Sequence, residues 1–202
     1  MAFTYFFRDL LTLEQIAAHF IPYTSGSSRI RIWDAGCAMG QEPYSLAMVL
    51  ADHIGHFSFR NVRITASDVD TCDLFGPIIA AGVYPAAELA RIPGDIKERY
   101  FTETADPDTL QLVEAIRSRV VFVKHDLLSL ERVGDDFGLI LCKNVLLHFQ
   151  PPERVEVLKM FHSALAPGGF LATEQTQKLP PEVEPLFEQV TANAQLFRKV
   201  AS

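Results

Sequence analysis

The sequence predicts an α/β fold in which helices cover both faces of a mostly parallel sheet. Short, nearly all-apolar segments alternate along the chain with segments of helical periodicity, and this alternation is typical of parallel strands joined by helices. Strands without a polar face are expected where both faces of the sheet are covered. The chain has 202 residues, of which 49% are hydrophobic and 21% are charged. We therefore expect residues 1–202 to form a single globular domain.

A helix and a strand open the chain. Apolar spacing predicts a helix over residues 12–21, in which Thr12 and Gln15 have capping-box spacing and a following proline ends the helix. The first strand is predicted over residues 30–33. Pro43 suits a first helical turn, so we expect the second helix to begin there.

The later part of the chain continues the alternation. Apolar runs predict five more strands, of which the last is expected to be antiparallel: Val62–Ser67, Val120–Val123, Gly138–Cys142, Phe170–Thr173 and Leu196–Val200. Helices are predicted between Pro151 and Pro167 and over residues 183–193. Residues 88–119 are less regular, and we expect them to form a small subdomain on the main sheet.

Charge and cysteine content argue against several classes of protein. The net charge is −7 and the pI is about 5.3, so a nucleic-acid binder is not expected. Three cysteines without C-x-x-C spacing indicate buried thiols in a reducing compartment rather than a disulfide framework or a metal site. The sequence shows neither a signal peptide nor an apolar run of the roughly 20 residues that span a bilayer. We therefore expect a cytoplasmic protein without membrane insertion.

Residues 31–45, RIWDAGCAMGQEPYS, form the most informative segment. An apolar strand runs into Asp34, Gly36 and Gly40 lie in the turn that follows, and a helix begins beyond them. Glycine permits a tight turn and a close approach of the backbone to a ligand. A strand–turn–helix corner of this kind is a common site for nucleotide-like cofactors, although the spacing is not G-x-G-x-x-G.

Polar residues follow four of the predicted strands. Asp34–Gly40, Asp68, Asp126 and Asn144 come at strand ends, which meet at the edge of a parallel sheet where ligands bind. Asp68 is expected to accept the hydroxyls of a ribose, and Asp126 and Asn144 to contact an adenine edge or an amino acid head group. A structural alternative stays open for each aspartate: Asp68 and Asp70 cap the next helix, and Asp126 ends its strand.

Arg8 follows the aromatic cluster Tyr5-Phe6-Phe7. In one interpretation, which the residues alone favour, the aromatic rings pack and Arg8 is solvated. In the other, the Arg8 guanidinium binds a carboxylate through two parallel hydrogen bonds.

Several segments resemble the chemotaxis receptor methyltransferases of the CheR type. Thr4–Arg8 is similar to the family's T-x-F-F-R, residues 31–45 to R-I-W-S-A-G-C-S-T-G-E-E-P-Y-S, and residues 66–71 to A-[ST]-D-I-D-T. Further similar segments follow in the family order: Ala81–Tyr84, Arg99–Phe101, His125–Leu128 and Cys142–Phe149. The resemblance covers nearly the whole chain.

This resemblance implies a Rossmann-like methyltransferase fold that uses S-adenosylmethionine and releases S-adenosylhomocysteine. In the family the methyl group goes to glutamate carboxylates on receptor helices. The cofactor contacts that the resemblance implies, together with the two glycines of the turn, are Thr4, Arg8, Ala35, Gly36, Gly40, Glu42, Asp68, Asp126, Leu127 and Asn144. The resemblance also places Arg8 beside the transferring methyl group.

The sequence departs from the family in several places. The family's N-terminal helical domain, which contacts the receptor, is expected to be absent. Gln41 replaces a glutamate, Lys143 stands where arginine is usual, and His148 replaces a tyrosine near the reacting centre. His148 therefore has two interpretations: a catalytic base for a hydroxyl or amine acceptor, or a packed core residue.

The predicted function is methyl transfer to a protein glutamate carboxylate or to another acceptor, including a small molecule. A carboxylate is ionised at neutral pH and needs no base, so orientation, with Arg8 positioning the acceptor, and desolvation would dominate catalysis. Two alternatives stay open. One is a module that senses the cofactor or its product without turnover, and the other is a fragment whose recognition elements are supplied by another chain.

Overall fold

The structure, a computed structural model, describes residues 4–176 and 178–200, and within these residues ten strands form two sheets. In chain order the strands are β1 Ile30–Ala35, β2 Val62–Asp68, β3 Val83–Pro85, β4 Phe101–Glu103, β5 Thr109–Leu112, β6 Val120–Lys124, β7 Phe137–Cys142, β8 Leu165–Thr173, β9 Phe187–Gln189 and β10 Leu196–Lys199. The larger sheet has the order β6-β2-β1-β7-β8-β10-β9, and the smaller one has the order β3-β5-β4.

Helices connect most of these strands. The α-helices are α1 Leu10–Tyr23, α2 Gln41–Phe59, α3 Phe75–Ala81, α4 Gly94–Tyr100, α5 Glu114–Arg117 and α6 Pro151–Ala164. Short 3₁₀ turns cover Ala86–Leu89, Leu127–Ser129, Leu146–His148 and Glu184–Leu186. In the described part of the chain, no helix combines the length and the apolar character that a bilayer span requires.

The larger sheet confirms the predicted fold class. β6, β2, β1, β7 and β8 run parallel to one another, whereas β10 is antiparallel to both β8 and β9. The chain builds outward from β1 through β2 to β6 and then returns to the other side of β1 with β7. A crevice forms beyond the carboxyl ends of strands where the order reverses in this way.

The two faces of the larger sheet carry separate parts of the core. In β1, Ile32 packs into the cluster that includes α1 and α2, and Trp33 packs into the cluster that includes α6. The Trp33 and Phe161 rings meet edge to face with their centroids 5.1 Å apart. Because both faces are covered, the strands carry few polar side chains, which is the pattern that identified them in the sequence.

The predicted helix over residues 183–193 is wrong. Residues Glu184–Leu186 form a 3₁₀ turn, and β9 pairs with β10 instead of continuing a helix. Val183 and Phe187 are both buried at helical spacing, which explains the error. Strand pairing satisfies the backbone here, and tertiary pairing overrides local propensity.

Several predicted boundaries also shift. α1 begins at Leu10 rather than residue 12, because the Thr12 hydroxyl donates to Asp9 Oδ2 at 2.8 Å instead of forming a capping box. α2 begins at Gln41, two residues before Pro43. α6, which was expected to extend to Pro167, ends at Ala164, and Pro167 lies inside β8.

Candidate cofactor-binding site

A cleft of about 550 Å³ opens at the carboxyl edge of the larger sheet. This volume lies within the range of small-molecule and cofactor sites. Its walls come from the N-terminal segment, the β1–α2 turn, the end of β2 and the residues after β7: Thr4, Arg8, Gly36, Cys37, Ala38, Glu42, Asp68, Lys143, Asn144, Val145, Leu147 and His148.

The β1–α2 turn is fixed against the end of β2. The Gly36 and Cys37 amides donate to the Ser67 carbonyl oxygen at 2.7 and 3.0 Å. Gly36 has a φ of 98°, a conformation that L side chains rarely adopt. A Cβ at this position would also overlap Val145 Cγ2, so the turn requires glycine for two independent reasons.

Asp68 and Asp70 have different structural roles. Asp68 lines the cleft, and its Oδ2 accepts a hydrogen bond from the Ala38 amide at 3.0 Å. Asp70 accepts from the amides of Leu74 and Phe75 at 2.9 Å each. The helix-capping alternative therefore holds for Asp70, while Asp68 faces the cleft and positions the turn.

Asp34 at the end of β1 is fully buried, and neither of its carboxylate oxygens has a hydrogen-bond partner among the described residues. Burial is the main cause that raises the pKa of Asp34 well above its usual range, and the neighbouring charge of Glu42 adds to this effect. Lys143 opposes the shift, and Asp68 contributes a further small increase. These three neighbours all line the cleft.

Lys143 is the buried cation of the site. Its Nζ lies 3.3 Å from Asp9 Oδ2 and 3.5 Å from Glu42 Oε2, and it donates to the Arg8 carbonyl oxygen at 3.4 Å. Burial raises the pKa of Glu42, and Lys143 limits that rise. Lys143 therefore connects the N-terminal segment to α2 and partly compensates the acidic groups of the cleft.

The aromatic cluster anchors the N-terminal segment. Phe6 is buried and meets the rings of Tyr84 and Phe101 edge to face at centroid distances of 4.9 and 5.7 Å. The Phe7 amide donates to Ser45 Oγ at 2.8 Å. The aromatic rings therefore pack as expected, and the half-buried side chain of Arg8 lines the cleft.

The residues after β7 form the remaining wall. Asn144 has a φ of 60°, in the left-handed region, and the 3₁₀ turn Leu146–His148 follows it. Leu147 and His148 line the cleft from this turn. His148 is exposed, so the interpretation of His148 as a packed core residue is wrong.

Four of the predicted contacts do not line the cleft. Ala35 and Gly40 are buried behind it, and Leu127 is buried at the start of a 3₁₀ turn. Asp126 is exposed and accepts from the Leu128 amide at 2.9 Å, so it caps that turn. Three further residues line the cleft although the sequence suggested no role for them there: Lys143, Val145 and Leu147. Lys143 directly precedes the expected Asn144 and could have been found by that position.

The cysteines behave as packing residues or as exposed free thiols. Cys37 and Cys142 are buried, whereas Cys72 is exposed, contrary to the expectation that all three are buried. Burial raises the pKa of the Cys37 thiol, which disfavours the nucleophilic thiolate. Within the described residues, no three His, Cys, Asp or Glu side chains meet in an arrangement that could hold a metal ion.

Comparison with known proteins identifies the family. A family model described as the SAM-binding domain of CheR methyltransferase matches residues 2–196. Chemotaxis protein methyltransferase 1 of Pseudomonas aeruginosa is 32% identical over 188 residues, which are 88% of this chain and 67% of the relative. A chemotaxis protein methyltransferase of Vibrio parahaemolyticus is 30% identical over 200 residues, which are 98% and 72% of the two chains. Chemotaxis protein methyltransferase 2 of Vibrio cholerae is 31% identical over 175 residues, which are 83% and 59%.

The chain therefore belongs to the CheR methyltransferase family, and it spans between 59% and 72% of the length of these three relatives. The magnesium protoporphyrin IX methyltransferase of Synechocystis, solved with bound S-adenosylmethionine, has a TM-score of 0.50 and 15% identity. The match covers 95% of this chain and 78% of that one. At this identity the likeness concerns the fold.

The cleft fits S-adenosylmethionine in size and in charge. The molecule carries a sulfonium and an ammonium, and the acidic residues Glu42 and Asp68 line the cleft. Asp34, which is buried next to Glu42, has two oxygens without hydrogen-bond partners among the described residues, and a nearby cation favours the charged form of such a group. The residues present therefore suit this cofactor.

Replacing Gly36 with alanine is expected to destabilise the fold more than the same change at Gly26. Both glycines have positive φ, which costs an L side chain about 1–2 kcal/mol. Nothing lies within 4 Å of a Cβ at Gly26, whereas a Cβ at Gly36 overlaps Val145, which adds about 1–3 kcal/mol. Urea unfolding of both variants measures the difference, and equal losses would contradict the close approach.

Asp34→Asn is expected to raise the free energy of unfolding at pH 7. The pKa of Asp34 is higher in the folded chain than its usual value of 3.8, so the folded state binds more protons above about pH 4 and loses stability as pH rises. Asparagine removes this contribution, and the stability of the variant should fall less steeply between pH 4 and 7. Urea unfolding over this pH range tests the slope. Asp108→Asn, at an exposed position, controls for the lost charge, and an equal effect in both variants would contradict the argument.

Proposed function

We propose that this member of the CheR family binds S-adenosylmethionine in the cleft and methylates a glutamate carboxylate of a protein partner. The observation that carries the proposal is the convergence of Arg8, Glu42, Asp68 and Asn144 on one cleft at the switch point of the sheet. The family match and the names of the chemotaxis relatives support the choice of a receptor-like protein as the partner.

The cofactor contacts follow from the chemistry of each cleft residue. Asp68 at the end of β2 is placed to accept the ribose hydroxyls while it holds the Ala38 amide. Glu42 in the first turn of α2 lines the cleft and is assigned to the cationic part of the ligand, and Asn144 offers an amide that both donates and accepts. Asp126, at the neighbouring end of β6, is assigned to the adenine side by the resemblance alone.

Arg8 is assigned to position the acceptor. When bound, S-adenosylmethionine supplies an electrophilic methyl group. A glutamate side chain has a reference pKa of about 4.3 and is ionised at neutral pH, so no residue has to remove a proton from it. The Arg8 guanidinium can hold a carboxylate by two hydrogen bonds, and a carboxylate held in this way is oriented for transfer.

The exposed imidazole of His148 on the cleft wall favours a second candidate function. A hydroxyl or amine acceptor must lose a proton during transfer, and a histidine within reach is suited to take it. In this candidate His148 is the general base and the acceptor is a neutral nucleophile.

Asp68→Asn is expected to weaken the binding of S-adenosylhomocysteine at least tenfold. Hydrogen bonds to a charged group contribute about 1.5–3 kcal/mol each, and about 1.4 kcal/mol corresponds to a tenfold change in Kd. Titration calorimetry measures the affinity. Asp73→Asn is the matched control, because Asp73 is exposed and pairs with Lys124. Unchanged affinity in Asp68→Asn, or no binding by the wild type, would refute the assigned cofactor site.

Methyl transfer to a helical receptor fragment that carries glutamates is expected to give an alkali-labile product. Carboxyl methyl esters release methanol in mild alkali, whereas methyl ethers and methylated amines do not. If the acceptor is a carboxylate, His148→Phe keeps turnover within about threefold, whereas loss of a general base lowers it about 10²–10⁴-fold. Labelled S-adenosylmethionine reports both results, with His53→Phe, at an exposed position on α2, as the control. An alkali-stable product together with a large loss in His148→Phe would favour the second candidate.

A further inference from the structure

A second pocket of about 220 Å³ lies beyond the end of β8 and has no lining residue in common with the cleft. It is lined by Leu146, Arg154, Leu158, Thr173, Glu174, Lys178, Leu179 and Pro180. A cavity of roughly 150 Å³ admits a benzene-sized molecule. The pocket therefore has room for one side chain but not for a nucleoside.

Glu174 places buried carboxylate oxygens at this pocket that lack hydrogen-bond donors among the described residues. The residue is only 2% exposed, and neither of its carboxylate oxygens has a hydrogen-bond partner in the described part of the chain. The neighbouring Thr173 Oγ1 is also buried without a partner there. Buried polar atoms without partners are rare and costly in native proteins, and three such atoms border one small pocket.

The two cations in the pocket wall, Arg154 and Lys178, do not supply the missing hydrogen-bond donors. Arg154 donates from Nε to the Phe149 carbonyl at 2.9 Å and from Nη2 to the Leu147 carbonyl at 3.3 Å. Lys178 is exposed. Among the described residues neither side chain forms an ion pair with Glu174, so the described wall of the pocket leaves this carboxylate open to N–H donors of a ligand.

The pocket adjoins the cofactor cleft. The 3₁₀ turn Leu146–His148 separates them, because Leu146 lines the pocket while Leu147 and His148 line the cleft. Cys142 pairs with Thr173 across β7 and β8. Burial raises the pKa of the Cys142 thiol, and the neighbouring charge of Glu174 adds to this effect.

We propose that this pocket is a specificity subsite for the methyl acceptor, where Glu174 and Thr173 bind a side chain with at least two N–H donors. An ammonium, a guanidinium and a primary amide share this chemistry, and each can satisfy both oxygens of a carboxylate. The inference rests on the proposed function. The glutamate to be methylated stays at the cleft, since Glu174 would repel a second carboxylate, and a neighbouring side chain of the acceptor enters the pocket.

The test uses small probes of each donor class, so it does not require a known acceptor. Methylguanidinium, butylammonium, propionamide and propionate are titrated into ¹⁵N-labelled protein, with and without saturating S-adenosylhomocysteine, while amide chemical shifts are recorded. At least one N–H probe should shift the signals of Thr173, Glu174 and Leu179, and propionate should not. Comparison of the three N–H probes then shows which donor class the pocket prefers.

Variants assign the shifts to the two side chains. Glu174→Gln and Glu174→Leu should weaken probe binding at least tenfold, and Thr173→Val should weaken it at least threefold. Glu188→Gln, at an exposed position on β9, should bind as the wild type does. Replacement of an unpaired buried acid by an apolar residue is often neutral or stabilising, so thermal unfolding should show that Glu174→Leu is folded.

The experiment distinguishes a failure of the proposed subsite from a failure of the proposed function. If no N–H probe shifts these signals in the wild type, or if the Glu174 variants bind the probes equally well, the subsite is refuted while the cofactor site stands. If S-adenosylhomocysteine does not bind but a probe does, the cofactor assignment fails and Glu174 remains a donor-binding group.

Discussion

The end of β2 sets the geometry on which the cleft depends. Three consecutive amides of the β1–α2 turn, at Gly36, Cys37 and Ala38, donate to Ser67 and Asp68. The turn cannot shift without breaking several of these bonds at once. Ser67 also accepts a hydrogen bond from Trp33 Nε1 at 2.8 Å, and Trp33 packs against α6. The core and the wall of the cleft are thereby coupled through Ser67.

Lys143 imposes a second constraint, because it connects parts of the chain that are far apart in sequence. Its ammonium contacts Asp9, Glu42 and the Arg8 backbone, so the N-terminal segment and α2 share one buried cation. Removing one partner of a buried ion pair leaves an uncompensated charge and typically costs 3–5 kcal/mol. The position of Arg8 at the cleft therefore depends on the contacts of Lys143 with Asp9 and Glu42 as well as on the packing of Phe6.

The fold was predictable where periodicity and burial agree. β1, β2, β7 and β8 are largely buried strands of a parallel sheet, and the sequence shows them as apolar segments. The edge strand β6 is also apolar in sequence, although Val121 and Val123 are exposed. The error over residues 183–193 arose because helical spacing and a buried 3₁₀ turn followed by a strand give the same apolar pattern. Pairing with β10 decides between them, and that pairing is not a local property of the sequence.

The candidate site was predictable at the strand ends and less so in the loops. Asp68 and Asn144 follow directly from strand order, because parallel strands end at one edge. Val145 and Leu147 reach the cleft only because Asn144 adopts a left-handed conformation and a 3₁₀ turn follows. The burial of Asp34 without partners is a tertiary property, and residue type alone suggests a solvated aspartate.

The buried acids restrict how an acceptor can approach. Asp34 and Glu174 lie at the ends of β1 and β8, on either side of β7, and the structure leaves the oxygens of both without partners among the described residues. Each therefore favours a cationic or N–H-bearing group at its own position and disfavours a carboxylate. The cations that line the cleft are Arg8 and Lys143, and Lys143 already faces two acids. In the proposed function, a glutamate acceptor is therefore expected to enter on the side of Arg8, where its charge meets a guanidinium.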